Sequence, residues 1–512
     1  MGKIPEILHN MYAKSVKAPP LHPRQKTEYP GAVCAASLET IFRRCADFQT
    51  RRLHVGAEGG VEVFVCWLDG LISQAEAAEN VLRPLADPRR CGAADAAGCF
   101  SALLSGAASS PSVSVRRDLD SLCEDITHGC CALVFDELSA ALSFDVRSGA
   151  MRSVGEPTLE KSLKGSKDSF VESLRANTAL VRRHAATPRL KIAESTLGRK
   201  SHTRVAVLFI EGVAKGETVR ELARRLEQID VDALVTLGAI EEQLVDRPLL
   251  PFPQLLHTEK PDRLARWLLD GRIAILVDGI PIALALPVTF AEFMKVTGDG
   301  AMSYLVVSLL TALRYLALVL GMYLPALYAA VASFHQEMIP TRLLLSIIEA
   351  KRDVPFSTSA ELLGMLVAFA LLQEAGLRLP NPVGDTVSII GALIVGQAAV
   401  EARVVSPIAI IVVAVSGIAC YTMPSQDMGS AVRLCRALFL LAGIAAGLYG
   451  VALASCLVAA LLSSIDSFGM NYTAPLSGGE GGALLRLLFS PPHTAQKLRD
   501  PLLEMPDRRR QR

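Results

Sequence analysis

The chain has 512 residues, 51% of them hydrophobic, with 52 Lys and Arg against 51 Asp and Glu for a formal net charge of +1. So even a balance excludes bulk charge attraction to nucleic acid or anionic lipid, and the length exceeds one ordinary domain. The charges are unevenly placed: residues 301–476 carry only eight Lys or Arg and nine Asp or Glu, about a tenth of that segment, against about a quarter elsewhere. This predicts a soluble N-terminal part followed by a membrane part.

In chain order, residues 1–30 are polar and proline-rich with no apolar h-region, so no cleavable signal peptide is expected. The first buried strand is Val63-Phe-Val-Cys-Trp-Leu-Asp69-Gly70, followed by a helical stretch over 73–85. Asp120-x-Leu122 then leads to Gly129, to Cys130-Cys-Ala-Leu-Val-Phe-Asp136 and to Ala141-Leu142, a hairpin-like strand pair. Residues 158–186, with Phe170, Leu174 and Leu180, read as helix. The same series then recurs. Val205-Ala-Val-Leu-Phe-Ile-Glu211-Gly212 is followed by a helix over 217–228. Asp262-x-Leu264 leads to Gly271, to Arg272-Ile-Ala-Ile-Leu-Val-Asp278 and to Ala283-Leu284. Both blocks share an offset of 142 residues, which marks an internal duplication. Asp-Gly at the hairpins is read as turn chemistry. Pro261 suits a helix start, with Thr258 or Glu259 as candidate caps.

Three stretches without Asp, Glu, Lys or Arg are long enough to span a bilayer: 315–336, 404–426 and 437–465. Two shorter ones, 362–373 and 386–400, suit bundle-interior, broken or re-entrant helices. The tail carries Lys497, Arg499, Arg508, Arg509, Arg510 and Arg512, a cytosolic signature. With the N-terminal part also cytosolic, the crossing number should be even, and 386–400 or 362–373 would supply the fourth pass.

The fold class expected is therefore α/β, two duplicated subdomains with a helical linker, followed by an α-helical transmembrane bundle. The divisions are an N-terminal extension (1–52), a first unit (53–147), a linker (148–194), a second unit (195–300), a transmembrane helical domain (301–476) and a basic tail (477–512).

Enzyme chemistry finds little support. There is no Walker-type loop, no Gly-x-Ser-x-Gly elbow, and the nine histidines form no His-x-x-x-His. The eleven cysteines contain no Cys-x-x-Cys and read as buried, reduced thiols. No cofactor or metal site is expected. In the membrane half Glu374, Gln397 and Glu401 are candidates for polar groups facing a pore or bundle interior, since a charge facing lipid costs at least about 2.5 kcal/mol. The competing reading places Glu374 and Glu401 at helix ends, paired with Arg378 and Arg403. Gly391 and Gly396 are expected to permit close helix packing, Pro325 and Pro407 to kink apolar spans, and Arg314 to snorkel to the interface.

Particular strings resemble the A subunits of bacterial spore germinant receptors, the GerA family. They are Thr258-Glu-Lys-Pro-Asp262 with Leu268-Leu-Asp-Gly-Arg-Ile-Ala-Ile-Leu-Val-Asp-Gly279, and Phe170-Val-Glu-Ser-Leu-Arg-Ala-Asn-Thr-Ala-Leu-Val-Arg-Arg183. In the membrane half they are Leu324-Pro-Ala-Leu-Tyr328, Phe334-His-Gln-Glu-Met-Ile-Pro340, Gly391-Ala-Leu-Ile-Val-Gly-Gln-Ala-Ala-Val-Glu401, Ser406-Pro407, Ser467-Phe-Gly469 and Tyr472-x-x-Pro475-Leu476. The likeness covers roughly residues 38–476. It departs at Gly298-Asp299-Gly300-Ala301, where the family usually carries an acid–aromatic pair. The resemblance implies a multi-pass protein of the inner spore membrane, with its N-terminal domain and tail on the core side. It implies a transporter-like B subunit and a lipoprotein C subunit as partners, self-association into a ring (a pentamer as the family-level expectation), and passage of monovalent cations. The alternatives are a non-conducting membrane scaffold, a secondary-transporter component, or the A-like protein of the dipicolinate-release system.

Overall fold

The computed structural model describes residues 28–55, 60–87, 95–108, 112–147, 157, 160, 164–378, 396–476, 487–489 and 492–510. The soluble part contains two five-stranded antiparallel sheets. The first has β1 (Phe48–Val55), β2 (Val61–Leu68), β3 (Val113–Arg116), β4 (Cys130–Phe135) and β5 (Ala140–Asp145) in the order β1-β2-β4-β5-β3. The second has β6 (Leu190–Leu197), β7 (Thr203–Ile210), β8 (Leu256–Thr258), β9 (Ile273–Val277) and β10 (Ala283–Leu286) in the order β6-β7-β9-β10-β8. The duplication extends to individual pairs. Phe48 faces Leu68 as Leu190 faces Ile210, Val65 faces Leu133 as Val207 faces Ile275, and Val115 faces Leu142 as His257 faces Leu284. The offset is 142 residues in every case, and it holds for the helices α2 (Leu119–Thr127) and α6 (Pro261–Leu269) as well. Each sheet begins with a strand upstream of the first one legible in the sequence. The central strands β4 and β9 are buried along their whole length because helices cover both faces.

Among the described residues between the sheets, one helix forms, α3 (Leu174–His184), and those from 164 to 173 are not helical. Its Leu174 N–H donates to Asp278 Oδ1 at 3.0 Å, as the Ala35 N–H of helix α1 (Ala35–Ile41) donates to Asp136 Oδ1 at 2.8 Å. The two turn aspartates thus also satisfy orphan N–H groups at helix starts. Arg182 of α3 is fully buried and reaches back to Asp47 with Nε and Nη2, at 2.6 and 2.9 Å. Backbone contacts join the units at the same place, where the Ala46 N–H donates to Ile192 O at 2.9 Å. Helix α6 starts with Pro261 and has no side-chain cap; the Thr258 hydroxyl instead accepts from the Lys260 N–H at 3.1 Å. The capping role expected for Thr258 or Glu259 is therefore not realised.

The membrane half is helical: α7 (Tyr304–Phe334), α8 (Thr341–Lys351), α9 (Thr358–Arg378), α10 (Pro407–Tyr421) and a long element over Gln426–Ser463. Among the described residues, three helical elements are long and apolar enough to cross a membrane, within Tyr304–Phe334, Thr358–Ala375 and Gln426–Ser463. Two expectations are corrected here. The short stretch 362–373 lies inside a helix of 21 residues, whereas 404–426 yields a helix of only 15. Pro407 sets its start, since it occupies the first helical turn after the N-cap Ser406 and so begins the helix rather than kinking it, and the helix ends at Tyr421. Pro325 does lie inside α7. Most of 386–400, including Gly391, lies outside the described residues.

The last apolar run, 437–465, is not a single crossing. Ala446 (φ −138°, ψ 16°) and Gly447 (φ 61°, ψ −142°) break the helix. A Cβ on Gly450 would overlap the Ala442 carbonyl, and one on Gly443 would lie 3.3 Å from Val451 Cγ2. In a straight helix residues eight apart are separated by about 12 Å. The flanks of the element also return to one short loop: Asp427 meets His257, and Tyr472, whose N–H donates to Ile465 O at 3.3 Å just past the helix end, donates its hydroxyl to Pro253 O at 2.8 Å. Four residues of chain reach at most about 14 Å, whereas a straight 38-residue helix would be about 57 Å long. The element is a hairpin with an outgoing arm over 426–445 and a returning arm over 448–463. The outgoing arm runs parallel to α7. Gly321 lies beside Val432, the Tyr323 ring stacks on Phe439 at 4.6 Å, and the tip at Gly447 packs on Phe334 and His335. Helix α10 runs the opposite way, with Cys420 beside Gly321 and Ala409 in one apolar cluster with Ala329.

The backbone of Gly447 lies where a side chain is strained whatever the space, at a cost of roughly 1–3 kcal/mol. Gly447→Ala should therefore lower the thermal unfolding midpoint of the detergent-solubilised chain. An unchanged midpoint would show that the arms are not held in this reversal.

Candidate functional site

Three polar groupings stand out in the membrane half and where it joins the second α/β unit. The first lies at the end of the bundle remote from the sheets. Glu361, in the first turn of α9, has a fully buried side chain. Its Oε2 accepts from the Ser406 hydroxyl at 2.8 Å and from the Ser406 N–H at 3.3 Å, and its Oε1 lies 3.4 Å from Lys351 Nζ. Lys351 also donates to the Thr358 hydroxyl. Ser406 accepts in turn from the Ala409 N–H at 3.4 Å, so one carboxylate ties α8, α9 and the cap of α10 together. A buried carboxylate is tolerated only with such partners.

The second grouping joins the soluble part to α7. Arg314 is buried and grips Asp299 with both terminal nitrogens, at 2.7 and 2.8 Å, while donating to Met294 O at 3.0 Å. This corrects the snorkelling expected for Arg314: Asp299 and the Met294 carbonyl draw the guanidinium inward. Close by, Glu292 lies 3.2 Å from Arg272 and 2.5 Å from Lys295. Burial pushes its carboxyl upward, but the two cations reverse this and hold it at about 2.

The third grouping receives the two feet of the hairpin. His257 on β8 places Nδ1 2.9 Å from Asp427 Oδ2 and Nε2 against Glu241 of helix α5 (Leu237–Leu244). The Val288 N–H donates to Ser467 Oγ at 3.0 Å, the Phe290 N–H to Tyr472 O at 2.8 Å, and Arg225 lies 4.3 Å over the Phe468 ring. A cavity of about 300 Å³ opens beside this joint, lined by Glu241, Glu242, Gln254, His257, Asp427 and Ser430 among others.

Of the three polar residues proposed to face a pore or bundle interior, the structure brings together Gln397 and Glu401. Gln397 Nε2 donates to Glu401 Oε1 at 3.1 Å, and both side chains are exposed on the single chain. Arg403 pairs with Asp353 at 2.7 Å rather than with Glu401. Glu374 is exposed and far along α9, and the Arg378 side chain lies outside the described residues. Gly396 meets open space rather than a packed neighbour. Close packing falls instead to Gly417, which abuts the Phe369 ring, and to Gly443, Gly447 and Gly450. The sequence did carry signals for the missed residues: three glycines within 443–450, and Glu361 at the edge of an apolar run.

A duplicated antiparallel α/β part, locked by buried ion pairs to a bundle with membrane-length helices, defines a membrane protein with a large soluble domain on one side of its bundle. The chain belongs to the family described as Bacillus/Clostridium GerA spore germination protein, which it matches over residues 36–502. It is 36% identical over 482 residues to spore germination protein B1 of Bacillus subtilis, covering 93% of this chain and 98% of that protein. To spore germination protein KA of Bacillus subtilis it is 34% identical over 466 residues, covering 91% and 85%. Among solved structures, it is similar to the N-terminal domain of the A subunit of the Bacillus megaterium spore germinant receptor GerK3. That likeness has 28% identity and a TM-score of 0.39, covering 50% of this chain and 93% of the other.

The Glu361 network makes a sharp test. Glu361→Ala leaves Lys351 and the Ser406 N–H without their acceptor and should cost about 3–5 kcal/mol, the usual penalty for breaking a buried pair. Glu361→Gln keeps an oxygen for Ser406 and should lose clearly less. Equal thermal midpoints for the two variants would count against a structural carboxylate.

Proposed function

We propose that the protein is the channel-type A subunit of a nutrient germinant receptor. In this reading it assembles as a ring with copies of itself, alongside a transporter-like B subunit and a lipoprotein C subunit, and passes monovalent cations when nutrient is sensed. Family membership supports the role in germination. The observation that carries the channel reading is the Gln397–Glu401 pair. Two polar side chains stay exposed on the surface of one chain beside an apolar bundle. Lipid disfavours them there, whereas a water-filled axis between subunits suits them, and a ring of carboxylates attracts cations.

The expected outcome is altered potassium release with normal abundance in the membrane for Glu401→Leu and Gln397→Leu, with Glu401→Gln intermediate. Reduced abundance with unchanged release per complex would return both residues to a packing role.

The reading also places the soluble units and the tail together on the spore-core side of the inner membrane. Contacts of the tail support it. Arg499 donates to Leu269 O at 2.8 Å, Arg510 lies 3.3 Å from Asp270, and Leu503 and Met505 are buried. Protease added to sealed inner-membrane vesicles should cut the tail and the N-terminal units from the same face only. Cleavage of the two from opposite faces would overturn the even crossing number.

A further inference from the structure

The two feet of the membrane hairpin are held by different chemistry. The returning foot involves no imidazole: Ser467 accepts from the Val288 N–H, Tyr472 donates to Pro253 O, and Arg225 lies over the Phe468 ring. The outgoing foot is ionic and turns on one imidazole. Both ring nitrogens of His257 face carboxylate oxygens, Nδ1 that of Asp427 in the first turn of the outgoing arm and Nε2 that of Glu241 on α5. A ring that donates from both nitrogens is an imidazolium. Neutral imidazole has one N–H and would leave one carboxylate facing a lone pair.

We infer that His257 is a proton-dependent clamp joining the second α/β unit to the outgoing arm of the hairpin, and that loss of its proton frees this foot while the returning foot stays docked. The charged and titratable groups around the ring are Glu241 and Glu242 from α5 and Asp427 from the arm; Gln254 and Ser430 complete the polar lining. Two carboxylates thus face one imidazolium, and Glu242 adds a third on the wall of the adjoining cavity. The adjoining cavity of about 300 Å³ gives the ring solvent access and room to swing. The duplication supplies an internal control. The position equivalent to His257 in the first unit is Val115, which is 38% exposed. The histidine occurs only in the unit that carries the membrane helices.

Burial of the ring lowers its proton affinity, but the hydrogen bonds to Asp427 and Glu241 outweigh this, and the His257 pKa rises from 6.5 to about 9. A raised pKa means that the clamp's contribution is complete below the unfolded value and is lost as pH climbs through the folded one. The clamp is closed at neutral pH and opens in the alkaline range.

Hydrogen exchange on the full chain in detergent micelles reads each foot separately. After correction for the intrinsic pH dependence, wild-type amides at 430–434 should stay protected up to pH about 8 and lose about tenfold or more by pH about 10. Amides at 470–472 should not show this step. His257→Gln should exchange fast and without a step at 430–434, with 470–472 unchanged, and Asp427→Asn should reproduce it. Wild-type-like protection and a retained step in His257→Gln would overturn the clamp. So would equal loss at both feet in both variants, because the histidine would then support the fold at large rather than one foot.

Discussion

The arrangement depends first on the ion pair between Arg182 and Asp47. Both side chains are essentially excluded from solvent, with relative exposures of 0% and 3%. Taking two such charges from water costs several kcal/mol each, so the pair persists only because its geometry is close to ideal. The guanidinium is forked onto one carboxylate and also donates to Leu190 O at 3.3 Å and Thr187 O at 3.4 Å. Helix α3 is thereby bound to the chain just before β1 and to the chain at the start of β6. The two sheets become one body, and the edge strand β8 is presented where the membrane half can dock.

The two units share strand order and register but not their use. Asp136 and Asp278 do the same work, each ending a central strand and accepting from the first turn of a helix. At other positions the copies diverge. Asp69 pairs with Arg175 across the joint at 3.2 Å, whereas its counterpart Glu211 pairs with Lys191 at 3.3 Å. Val115 leaves the first unit's edge exposed, while His257 gives the second unit an anchor for a membrane helix. Duplication supplied two similar scaffolds, and a few polar substitutions assigned them to different neighbours.

The bundle follows the rule that polar groups in an apolar medium need partners within the protein. Glu361 is partnered by Ser406 and lies in an ion pair with Lys351 at the remote end, and Arg314 and Asp299 pair at the near end. Between them the helices approach closely at glycines, with Gly443 near the Ala326 carbonyl just after Pro325 and Gly417 under the Phe369 ring. The reversal at Ala446–Gly447 lets one apolar run leave the soluble part and come back to it. Motion of the sheets would then reach the bundle at several points: α7 and both feet of the hairpin.

The sequence by itself determined the division into soluble and membrane halves, because charge depletion is a property of composition. It also determined the duplication, because strand runs closed by an acid and Gly repeat at a fixed offset, and that spacing carries register with it. Family membership was legible in ordered strings. The reversal inside 437–465 was decided only by the tertiary structure, since an apolar run has the same composition whether it is straight or folded back. The partners of the polar groups were also decided there. Asp427 meets His257 across 170 residues and Ser406 meets Glu361 across 45. Periodicity reports a residue's face on its own element, and nothing local encodes which distant chain will cover that face. Glu374, Gln397 and Glu401 were visible as charges and amides in an apolar setting, whereas Glu361 and His257 became distinctive only once folding had buried one and placed the other between two carboxylates.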